Sequence, residues 1–478
     1  MRVPIIVDRG SDVPLHRQVY ERWRDGILAR RFHGGDKVPS TRELAGALGV
    51  SRATVTAAYE QLSAEGYFET VHGAGTFVCR ELPDDAPIVG RNAVRPAFRA
   101  MPVALSRFGQ RLGTAYATPP SGTGLIDLSR FGPDPERFPV QLWRRLLVRH
   151  LRDARPALFA HGDNAGGYAP LRRQIAAYLA RSRAVHCDAD QVIVVNGSQQ
   201  ALDISMRLLV DAGDEVALED PGYPGARQLA LAHGARVRPV RVTSDGLHLA
   251  DLRGSPRLVH VTPSHQFPKG PSMSLARRLE LLEWARRRGT VIIEDDYDSE
   301  YRYSGAPLPA LQGLANGVPV VYVGTFSNVM FRGIRIGYVV VPTDLVAPFT
   351  RAKWLADRHS PLLDQAALAV FMGEGHLERH IRRMRRLYRS RREALVGALE
   401  RHLGDAAVVH GDAAGMHALV RFRAADVRER ARRHAVRMAS ADPYYLSGRS
   451  PNEFILGFAA IDERTIVEGV KRLGPRPN

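Results

Sequence analysis

Short apolar runs alternate with amphipathic segments along most of the chain, and this pattern constrains the fold more than any other feature. The apolar runs occupy residues 192–195, 215–218, 258–261, 291–293 and 320–323. The segments between them, such as 201–210 and Leu275–Arg288, carry apolar residues at helical spacing. Continuous apolar runs separated by helices are typical of parallel strands that are buried on both faces. We predict a large α/β domain with a mainly parallel sheet, followed by a smaller C-terminal α+β lobe from about residue 365.

The composition excludes several classes of protein. With 45% hydrophobic and 24% charged residues, the chain has the composition of an ordinary globular protein. No apolar run approaches the roughly 20 residues that a membrane helix needs, and the segment MRVPIIVDRG lacks the features of a secretory signal. The 2 cysteines cannot form a disulfide framework or a four-ligand zinc site. We predict a cytoplasmic protein without a membrane span or a metal site.

The first 80 residues have the organisation of an α+β winged helix-turn-helix. Residues 13–31 carry an apolar residue at every fourth position, which predicts a first helix. Ser40 and Glu43 form a capping box that begins a second helix, and Ser51 follows a tight turn as the N-cap of a third. The apolar residues of 66–71 and 76–78 flank a glycine-rich turn and predict a small hairpin.

The first turn of the predicted third helix carries side chains that suit DNA. In a helix-turn-helix this turn faces the base edges of the major groove. It offers Ser51, Arg52, Thr54 and Thr56, and Arg42 on the preceding helix points the same way. Arginine can hold guanine through two hydrogen bonds, and hydroxyls suit phosphates or bases. The serines could instead be helix caps only and the arginines a solvated face, but capping does not explain the arginines and the hairpin together. We predict binding to a double-stranded DNA operator.

This segment resembles the GntR family of winged-helix regulators. The matching residues are 38–45 (VPSTRELA), 50–55 (VSRATV) and 73–78 (GAGTFV). The resemblance implies that Arg42 and Arg52 read bases, while Ser40, Ser51 and Thr54 contact phosphates. Residues 81–122 have no periodicity and are rich in Pro, Ala, Arg and Gly, which predicts a mostly irregular linker. We therefore divide the chain into a DNA-binding domain (1–80), a linker (81–122) and an effector-binding and dimerisation domain (123–478).

Polar motifs follow four of the predicted strands of the large domain. They are NGSQQ at 196–200, DPGY at 220–223, EDDY at 294–297 and GTFS at 324–327, with Arg335 downstream. Ligands of open α/β sheets bind at the carboxyl ends of the strands. Amides at a helix N-terminus and an arginine can both hold a phosphate. Each motif alone is also compatible with an ordinary turn or a solvated acidic loop; it is their combination that indicates a ligand site.

Together these motifs resemble the fold-type I aminotransferase pattern for pyridoxal 5′-phosphate. The resemblance implies that Asp295 pairs with the pyridinium nitrogen, that Tyr297 pairs with the phenolic oxygen and that Tyr223 stacks on the ring. It assigns the phosphate to Ser198, Gln199, Thr325, Ser327 and Arg335.

The chain as a whole resembles the MocR/GabR subfamily of GntR regulators. The stretches 262–268, 294–303 and 322–338 are typical of that subfamily. The resemblance implies a transcription regulator that forms a head-to-tail homodimer. It also implies that the aminotransferase-like domain senses an amino compound or the cofactor itself, without identifying the effector.

Three departures from the family pattern concern catalysis. The family places its Schiff-base lysine directly after Thr-Phe-Ser, where this chain has Asn328. An amide cannot form an imine, and this cofactor's chemistry needs an amine. Lys269 replaces the usual threonine of a Pro-Thr-Gly motif near the cofactor and is considered as a surrogate. Ile455 stands where many aminotransferases place the arginine for the substrate carboxylate. The chain has four lysines, namely Lys37, Lys269, Lys353 and Lys471.

These observations leave three hypotheses. The first is a transcription regulator whose aminotransferase-like domain is catalytically inactive and binds pyridoxal phosphate non-covalently. The second is a pyridoxal-phosphate-dependent enzyme with an accessory DNA-binding module, which Asn328 disfavours. The third is a transcription regulator whose aminotransferase-like domain does not bind the cofactor. That domain would instead be a dimerisation scaffold or bind another small molecule. We favour the first hypothesis, because the predicted ring and phosphate contacts are retained although the lysine is absent.

Overall fold

The structure is a computed structural model that describes residues 5–82, 103–112, 124–153, 156–159, 164–305, 308–411, 413–446 and 450–474. The chain divides into two compact units, Met1–Val103 and Ala104–Asn478. Most of the predicted linker at 81–122 lies outside the described residues. Its described part includes one short helix, capped by Ser106, where the sequence predicts mostly irregular chain.

The first unit is a winged helix-turn-helix. Its elements are α1 (Leu15–Leu28), α2 (Thr41–Leu48), α3 (Arg52–Ala64), β1 (Phe68–Val71) and β2 (Gly75–Val78). The two strands form an antiparallel hairpin. The prediction of a first helix over 13–31 is slightly too long, because Pro14 is its N-cap and Ala29 its C-cap.

Local capping and one aromatic cluster define this unit. The predicted capping box is confirmed: the Glu43 amide donates to Ser40 Oγ at 3.2 Å, and the Ser40 amide donates to Glu43 Oε2 at 2.8 Å. Ser51 caps α3 in the same way, since its Oγ accepts from the Thr54 amide at 3.1 Å. Trp23 lies at the centre of the core, with its ring 4.6 Å from Phe32 and 5.3 Å from Phe68. Burial of these rings stabilises the unit. Trp23 also joins α1 to α3, since its ring lies 6.3 Å from that of Tyr59.

The second unit contains the remaining helices and strands. Its described α-helices are α4 (Arg107–Arg111), α5 (Val140–Arg152), α6 (Ala169–Arg183), α7 (Ser198–Leu209), α8 (Pro224–Ala232), α9 (Leu275–Arg288), α10 (Leu311–Leu314), α11 (Val346–Asp357), α12 (Leu362–Gly373), α13 (His376–Leu403), α14 (Val427–Arg433) and α15 (Glu463–Leu473). Its described strands are β3 (Ile126–Asp127), β4 (Val192–Val195), β5 (Glu215–Asp220), β6 (Arg236–Thr243), β7 (Gly246–Leu247), β8 (Leu258–Val261), β9 (Val291–Asp296), β10 (Val320–Thr325), β11 (Gly337–Val340), β12 (Ala407–His410), β13 (His417–Phe422), β14 (Val436–Arg437), β15 (Ala439–Ser440) and β16 (Glu453–Gly457).

The main sheet is mixed but mostly parallel, as predicted. Its 8 strands follow the order β4-β11-β10-β9-β8-β5-β6-β7. The adjacent strands β10, β9, β8, β5 and β6 run parallel to one another. The strand β11 pairs antiparallel with both β10 and β4, and β7 pairs antiparallel with β6. Val192 and Val194 of β4 belong to one apolar cluster, and Ile193 and Val195 belong to another. Alternate side chains therefore pack on opposite faces, which explains the continuous apolar runs.

The C-terminal lobe is built on a smaller antiparallel sheet. This sheet has the order β12-β13-β16-β15, and α13, α14 and α15 pack with it in one apolar cluster. The lobe also takes in chain from far upstream, because β3 pairs in parallel with β14, with Ile126 opposite Val436. The prediction of a lobe that begins near residue 365 is therefore incomplete: the segment around residue 126 belongs to it as well.

Buried His380 on α13 makes stability depend on pH. Its Nε2 lies 3.1 Å from the Val329 carbonyl, and its Nδ1 lies 3.3 Å from the Arg383 guanidinium. Burial, assisted by Arg383, lowers the pKa of His380 to about 4. The unfolded chain, with a histidine pKa of about 6.5, takes up a proton below that pH while the folded protein does not.

We therefore expect stability to fall as the pH decreases from 6.5 towards 4. His380 alone should contribute a loss of about 2 kcal/mol at pH 5 relative to pH 7. Urea unfolding at both pH values measures this loss, and the variant His380→Gln should show a smaller difference between the two. An equal difference in both proteins would contradict the assignment.

Candidate functional site

A cavity of about 250 Å³ opens at the carboxyl ends of the main-sheet strands. Seven of the eight predicted cofactor residues line it, namely Ser198, Tyr223, Asp295, Tyr297, Thr325, Ser327 and Arg335. The eighth, Gln199, is not among the lining residues; its Oε1 accepts from the Tyr223 hydroxyl at 3.0 Å instead. Gln199 therefore orients the predicted stacking residue Tyr223 rather than facing the cavity.

The N-terminus of α7 and Arg335 form a site suited to an anion. Gly197 is the N-cap with a φ of 84°, and no side chain caps the helix. Arg335 Nη2 donates to the Asn196 carbonyl at 2.9 Å. A Cβ at Gly197 would lie 2.6 Å from Arg335 Nη2, so a glycine is needed for this approach. Ser327 Oγ is buried and has no hydrogen-bond partner. A phosphate is the kind of ligand that uses uncapped amides, a guanidinium and a hydroxyl together.

Asp295 provides a carboxylate at the cavity wall. The residue is 5% exposed at the end of β9. Its Oδ2 lies 3.4 Å from His260 Nε2, while its Oδ1 is buried without a partner. A buried carboxylate oxygen without a donor is costly. A protonated ring nitrogen in the cavity would supply that donor, which fits a pyridinium group.

Tyr297 lies beside a buried histidine–carboxylate pair. His265 Nδ1 is 2.9 Å from Asp298 Oδ1 and 2.9 Å from the Tyr297 hydroxyl oxygen. Burial opposes a charge on His265, but the Asp298 carboxylate outweighs it and raises the pKa of His265. A protonated Nδ1 donates to Asp298, so the Tyr297 hydroxyl proton remains free for a ligand acceptor. Burial also raises the pKa of Tyr297 well above the ordinary value, which keeps this phenol a donor.

Asn328 lines the cavity where the resemblance places a lysine. Its Nδ2 donates to the Tyr297 carbonyl at 3.0 Å, which fixes the amide. All four lysines lie among the described residues, and none of them lines the cavity. Lys269, the possible substitute for the missing Schiff-base lysine, has its Nζ 3.4 Å from the Val242 carbonyl and does not line the cavity. Lys353 is fully buried in an ion pair with Asp357.

Several cavity residues were not predicted from the sequence as site residues. They are Phe131, Thr262, Phe267, Asp298, Arg332, Met416 and His417. The sequence also predicts no role for His265, although the stretch 262–268 is typical of the subfamily. Ile455 is fully buried on β16 and packs with Phe267 and Leu419, so it presents no charge to a substrate.

The predicted DNA-binding residues lie at neighbouring ends of α2 and α3. Arg42 and Arg52 are exposed, and Arg52 Nε lies 3.3 Å from the Thr41 hydroxyl at the start of α2. The opposite face of α3 is buried through Val55 and Leu62. Ser40 and Ser51 are exposed caps, and Thr54 and Thr56 are half-buried. The helix therefore presents its polar first turn to solvent, with both arginines at the same end.

The residues of the cavity fit a phosphorylated pyridine that carries a phenolic oxygen. They provide an anion site, a carboxylate for the ring nitrogen and a phenol donor, but no amine. Within the described ranges, no group of three or more His, Cys, Asp or Glu side chains is placed to hold a metal ion. In those same ranges, every helix is too short or too polar to span a bilayer.

The fold and the site define a winged helix-turn-helix protein with an aminotransferase-type domain. Residues 15–78 match the family model of bacterial regulatory proteins of the gntR family. Residues 150–473 match that of aminotransferase class I and II. The chain belongs to the gntR-family regulators that carry an aminotransferase class I and II domain, the group that includes MocR.

Curated relatives and solved structures extend this assignment. The probable rhizopine catabolism regulatory protein MocR of Rhizobium meliloti is 43% identical over 98% of this chain and 95% of its own length. The HTH-type transcriptional regulator TauR of Rhodobacter capsulatus is 32% identical over 97% and 96%. Among solved structures, the α-aminoadipate aminotransferase LysN of Thermus thermophilus, in complex with N-(5′-phosphopyridoxyl)-L-leucine, superimposes with a TM-score of 0.70. It is 29% identical and covers 77% of this chain and 96% of that one.

Proposed function

We propose that this protein is a transcription regulator whose aminotransferase-like domain binds pyridoxal phosphate reversibly and senses an effector without turning it over. The observation that carries the proposal is Asn328, an amide at the cavity position where the family pattern has its lysine. The relatives named as regulators support the DNA-binding part, since MocR and TauR match almost the whole chain. We further propose that the protein acts in the cytoplasm.

The contacts that remain in the cavity support reversible cofactor binding. Arg335, Ser327 and the α7 amides would hold the phosphate, Asp295 would pair with the ring nitrogen, and Tyr297 would donate to the phenolic oxygen. Bound pyridoxal phosphate supplies an electron-withdrawing ring and an aldehyde. These contacts require no covalent bond to the protein, so the cofactor should exchange freely with solvent.

The same cavity lacks what turnover would require. In this chemistry a lysine holds the aldehyde and usually moves the proton. The Asn328 amide does neither, because its nitrogen is neither nucleophilic nor basic. His265 is hydrogen-bonded to Asp298, and no lysine lines the cavity. We therefore place this chain apart from the aminotransferases that share its fold.

The two other hypotheses make different demands on the protein. An enzyme with an accessory DNA-binding module would need an amine that reaches the cavity. Lys269 does not provide one, because its Nζ lies 3.4 Å from the Val242 carbonyl and does not line the cavity. A cofactor-free scaffold would leave Asp295 Oδ1 and Ser327 Oγ as buried groups without partners. Both residues line the cavity, where these atoms are available to hydrogen-bond a bound molecule, so their presence favours a ligand.

We propose that the unit that binds DNA is a head-to-tail homodimer. One winged helix reads only a short half-site, and two-fold symmetry would match a pair of half-sites. Arg42 and Arg52 would then read bases in each half-site, while Ser40, Ser51, Thr54 and Thr56 would contact the backbone or adjacent bases.

We expect Arg42→Ala and Arg52→Ala to weaken operator binding by about 1–3 kcal/mol each and to relax sequence preference, because a guanine contact is lost. The operator is first selected from a random duplex pool with the wild-type protein. Affinities for the selected and a scrambled duplex are then measured at one salt concentration, with one and with two half-sites. Arg31→Ala, at an exposed arginine beyond α1, is the matched control. Equal losses on both duplexes would assign these arginines to phosphate contacts only.

A further inference from the structure

The winged helix-turn-helix carries little of the positive charge of the chain. The chain has a formal net charge of +17, yet residues 1–80 contain only 11 Lys and Arg against 9 Asp and Glu. Attraction between basic side chains and the phosphate backbone supplies essentially all of the non-specific affinity of proteins for DNA. The charge that is available for this attraction therefore lies mainly beyond the domain that reads the operator.

One helix of the second unit concentrates positive charge on its exposed face. The helix α13 contains 9 arginines and 3 glutamates. Its buried face includes Leu377, Ile381, Met384 and Tyr388. Five arginines are exposed at the spacing i, i+3, i+4, i+7 and i+10, which places them together on the other side of the helix. We call these five residues the basic face: Arg379, Arg382, Arg383, Arg386 and Arg389.

Within the ranges that the structure describes, no carboxylate is paired with the basic face. Three of its arginines donate to main-chain carbonyl groups, which leaves their charge in place: Arg379 to Glu374, Arg383 to Arg137 and Arg389 to Tyr303. Glu378, in the first turn of α13, is paired with Arg181 instead. Like charges three and four residues apart destabilise a helix. An anionic partner would remove this repulsion.

The basic face has the dimensions and the chemistry of a contact to the DNA backbone. Ten residues of helix span about 15 Å, and a duplex carries one phosphate charge per about 1.7 Å of its axis. The face is therefore long enough to lie against several phosphates. Arginine suits such a contact because its guanidinium donates two parallel hydrogen bonds to one phosphate.

We propose that the basic face of α13 binds the phosphate backbone of DNA that flanks the operator. This inference rests on the proposed function, because the winged helix-turn-helix first has to select the operator. Phosphate contacts from the second unit add affinity and salt dependence but no sequence preference. The two domains thus divide the work: the first supplies the sequence preference, and the second supplies much of the electrostatic attraction.

The test compares two double variants that remove the same charge. Arg382→Gln with Arg386→Gln changes the two arginines of the basic face that have no hydrogen-bond partner among the described residues. The control, Arg253→Gln with Arg288→Gln, changes two exposed arginines that precede β8 and β9 and likewise have no described partner. Glutamine has nearly the helix propensity of arginine, so α13 should persist. Denaturant unfolding checks that both variants are folded.

Affinities of the full-length proteins are measured for two duplexes over a range of salt concentrations. One duplex contains the selected operator alone, and the other adds about 20 base pairs, or two helical turns, of random sequence on each side. The preference for the longer duplex is the ratio of the two affinities. Because this ratio is taken within one protein, a change in operator recognition cancels.

We expect the basic-face variant to lose salt dependence that the control keeps. Between about 50 and 200 mM salt, the wild-type preference for the longer duplex should fall about tenfold further than that of the basic-face variant, which lacks two phosphate contacts. The control variant should behave as the wild type. Arg382→Lys with Arg386→Lys should retain most of the effect, because a lysine also binds phosphate.

Two outcomes would overturn the inference. If the basic-face and control variants behave alike, net charge alone explains the salt dependence. If the wild-type protein binds both duplexes equally at low salt, the basic face does not contact flanking DNA, and another anionic partner, such as an acidic protein surface, becomes the candidate. A different result would refute the proposed function, namely a wild-type protein that binds no selected duplex more tightly than a scrambled one.

Discussion

Asn328→Lys is expected to turn the protein yellow in the presence of pyridoxal phosphate and to make the cofactor trappable by borohydride. The substitution places an amine in the cavity beside Tyr297, where the other contacts of the cofactor are retained. The wild-type protein should lose the cofactor on dialysis and carry no covalent adduct after reduction. Visible absorbance and mass spectrometry of the reduced protein measure the change, which should run from no adduct to about one per chain.

Asn328→Met is the matched control for this experiment. It has a side chain of similar length to lysine and also loses the hydrogen bond to the Tyr297 carbonyl, but it has no amine. We expect it to remain colourless and untrapped. Wild-type protein trapped at Lys269 would revive the enzyme hypothesis. An Asn328→Lys protein that is folded and colourless at saturating cofactor would favour the cofactor-free scaffold. We do not expect transaminase activity from this variant, because Ile455 stands where many aminotransferases place the arginine for the substrate carboxylate.

Features that depend on adjacent residues could be predicted from the sequence. The capping box of Ser40 and Glu43 lies within one helical turn, so both partners occur within four consecutive residues. The helix Leu275–Arg288 was predicted with its observed bounds, because Ser274 caps it and Gly289 ends it in a left-handed conformation. The apolar run at 192–195 coincides with β4, since both faces of that strand are buried.

Features that depend on distant partners were only partly predicted. The apolar run at 291–293 stops where the carboxylates begin, yet β9 continues to Asp296. Glu294 accepts from the amides of Leu311 and Gln312 at 3.0 Å, and Asp296 is paired with Arg183 at 2.8 Å. Buried charges of this kind are tolerated only because partners far away in the sequence satisfy them.

The part of the cavity that Phe131, Arg332 and His417 line could not be predicted for the same reason. Phe131 reaches the cavity through the pairing of β3 with β14 and the close approach at Gly457, neither of which leaves a local pattern. Nothing in the sequence distinguishes Arg332 from the many other arginines of the chain. The one available signal was His417, a polar residue that opens the otherwise apolar start of β13.

Lys353 shows why the number of lysines alone does not settle the chemistry of this chain. Its ammonium is fully buried, pairs with Asp357 and lies 3.2 Å from the Ser360 hydroxyl. The other oxygen of Asp357 accepts from Asn196 Nδ2 at 2.6 Å and from Gln200 Nε2 at 2.8 Å. Asp357 thus connects a buried lysine to the loop at the start of α7, where the phosphate is proposed to bind. We assign Lys353 to positioning this loop rather than to forming an imine.

We expect Asp357→Asn to lower the free energy of unfolding by about 3 kcal/mol, because it leaves the Lys353 ammonium buried without a counter-charge. Lys353→Met should cost less, since Asp357 is partly exposed and keeps its two amide donors. The double variant should be more stable than the sum of the single losses predicts, because no buried charge remains. Denaturant unfolding of the four proteins gives this coupling.

Calorimetry with pyridoxal phosphate should show the weakest binding for the variants that lack the Asp357 carboxylate, since the loop then loses its anchor. If the losses in unfolding free energy are additive, Lys353 and Asp357 do not stabilise the fold as a pair. If cofactor affinity is unchanged in Asp357→Asn, these residues do not position the proposed phosphate site.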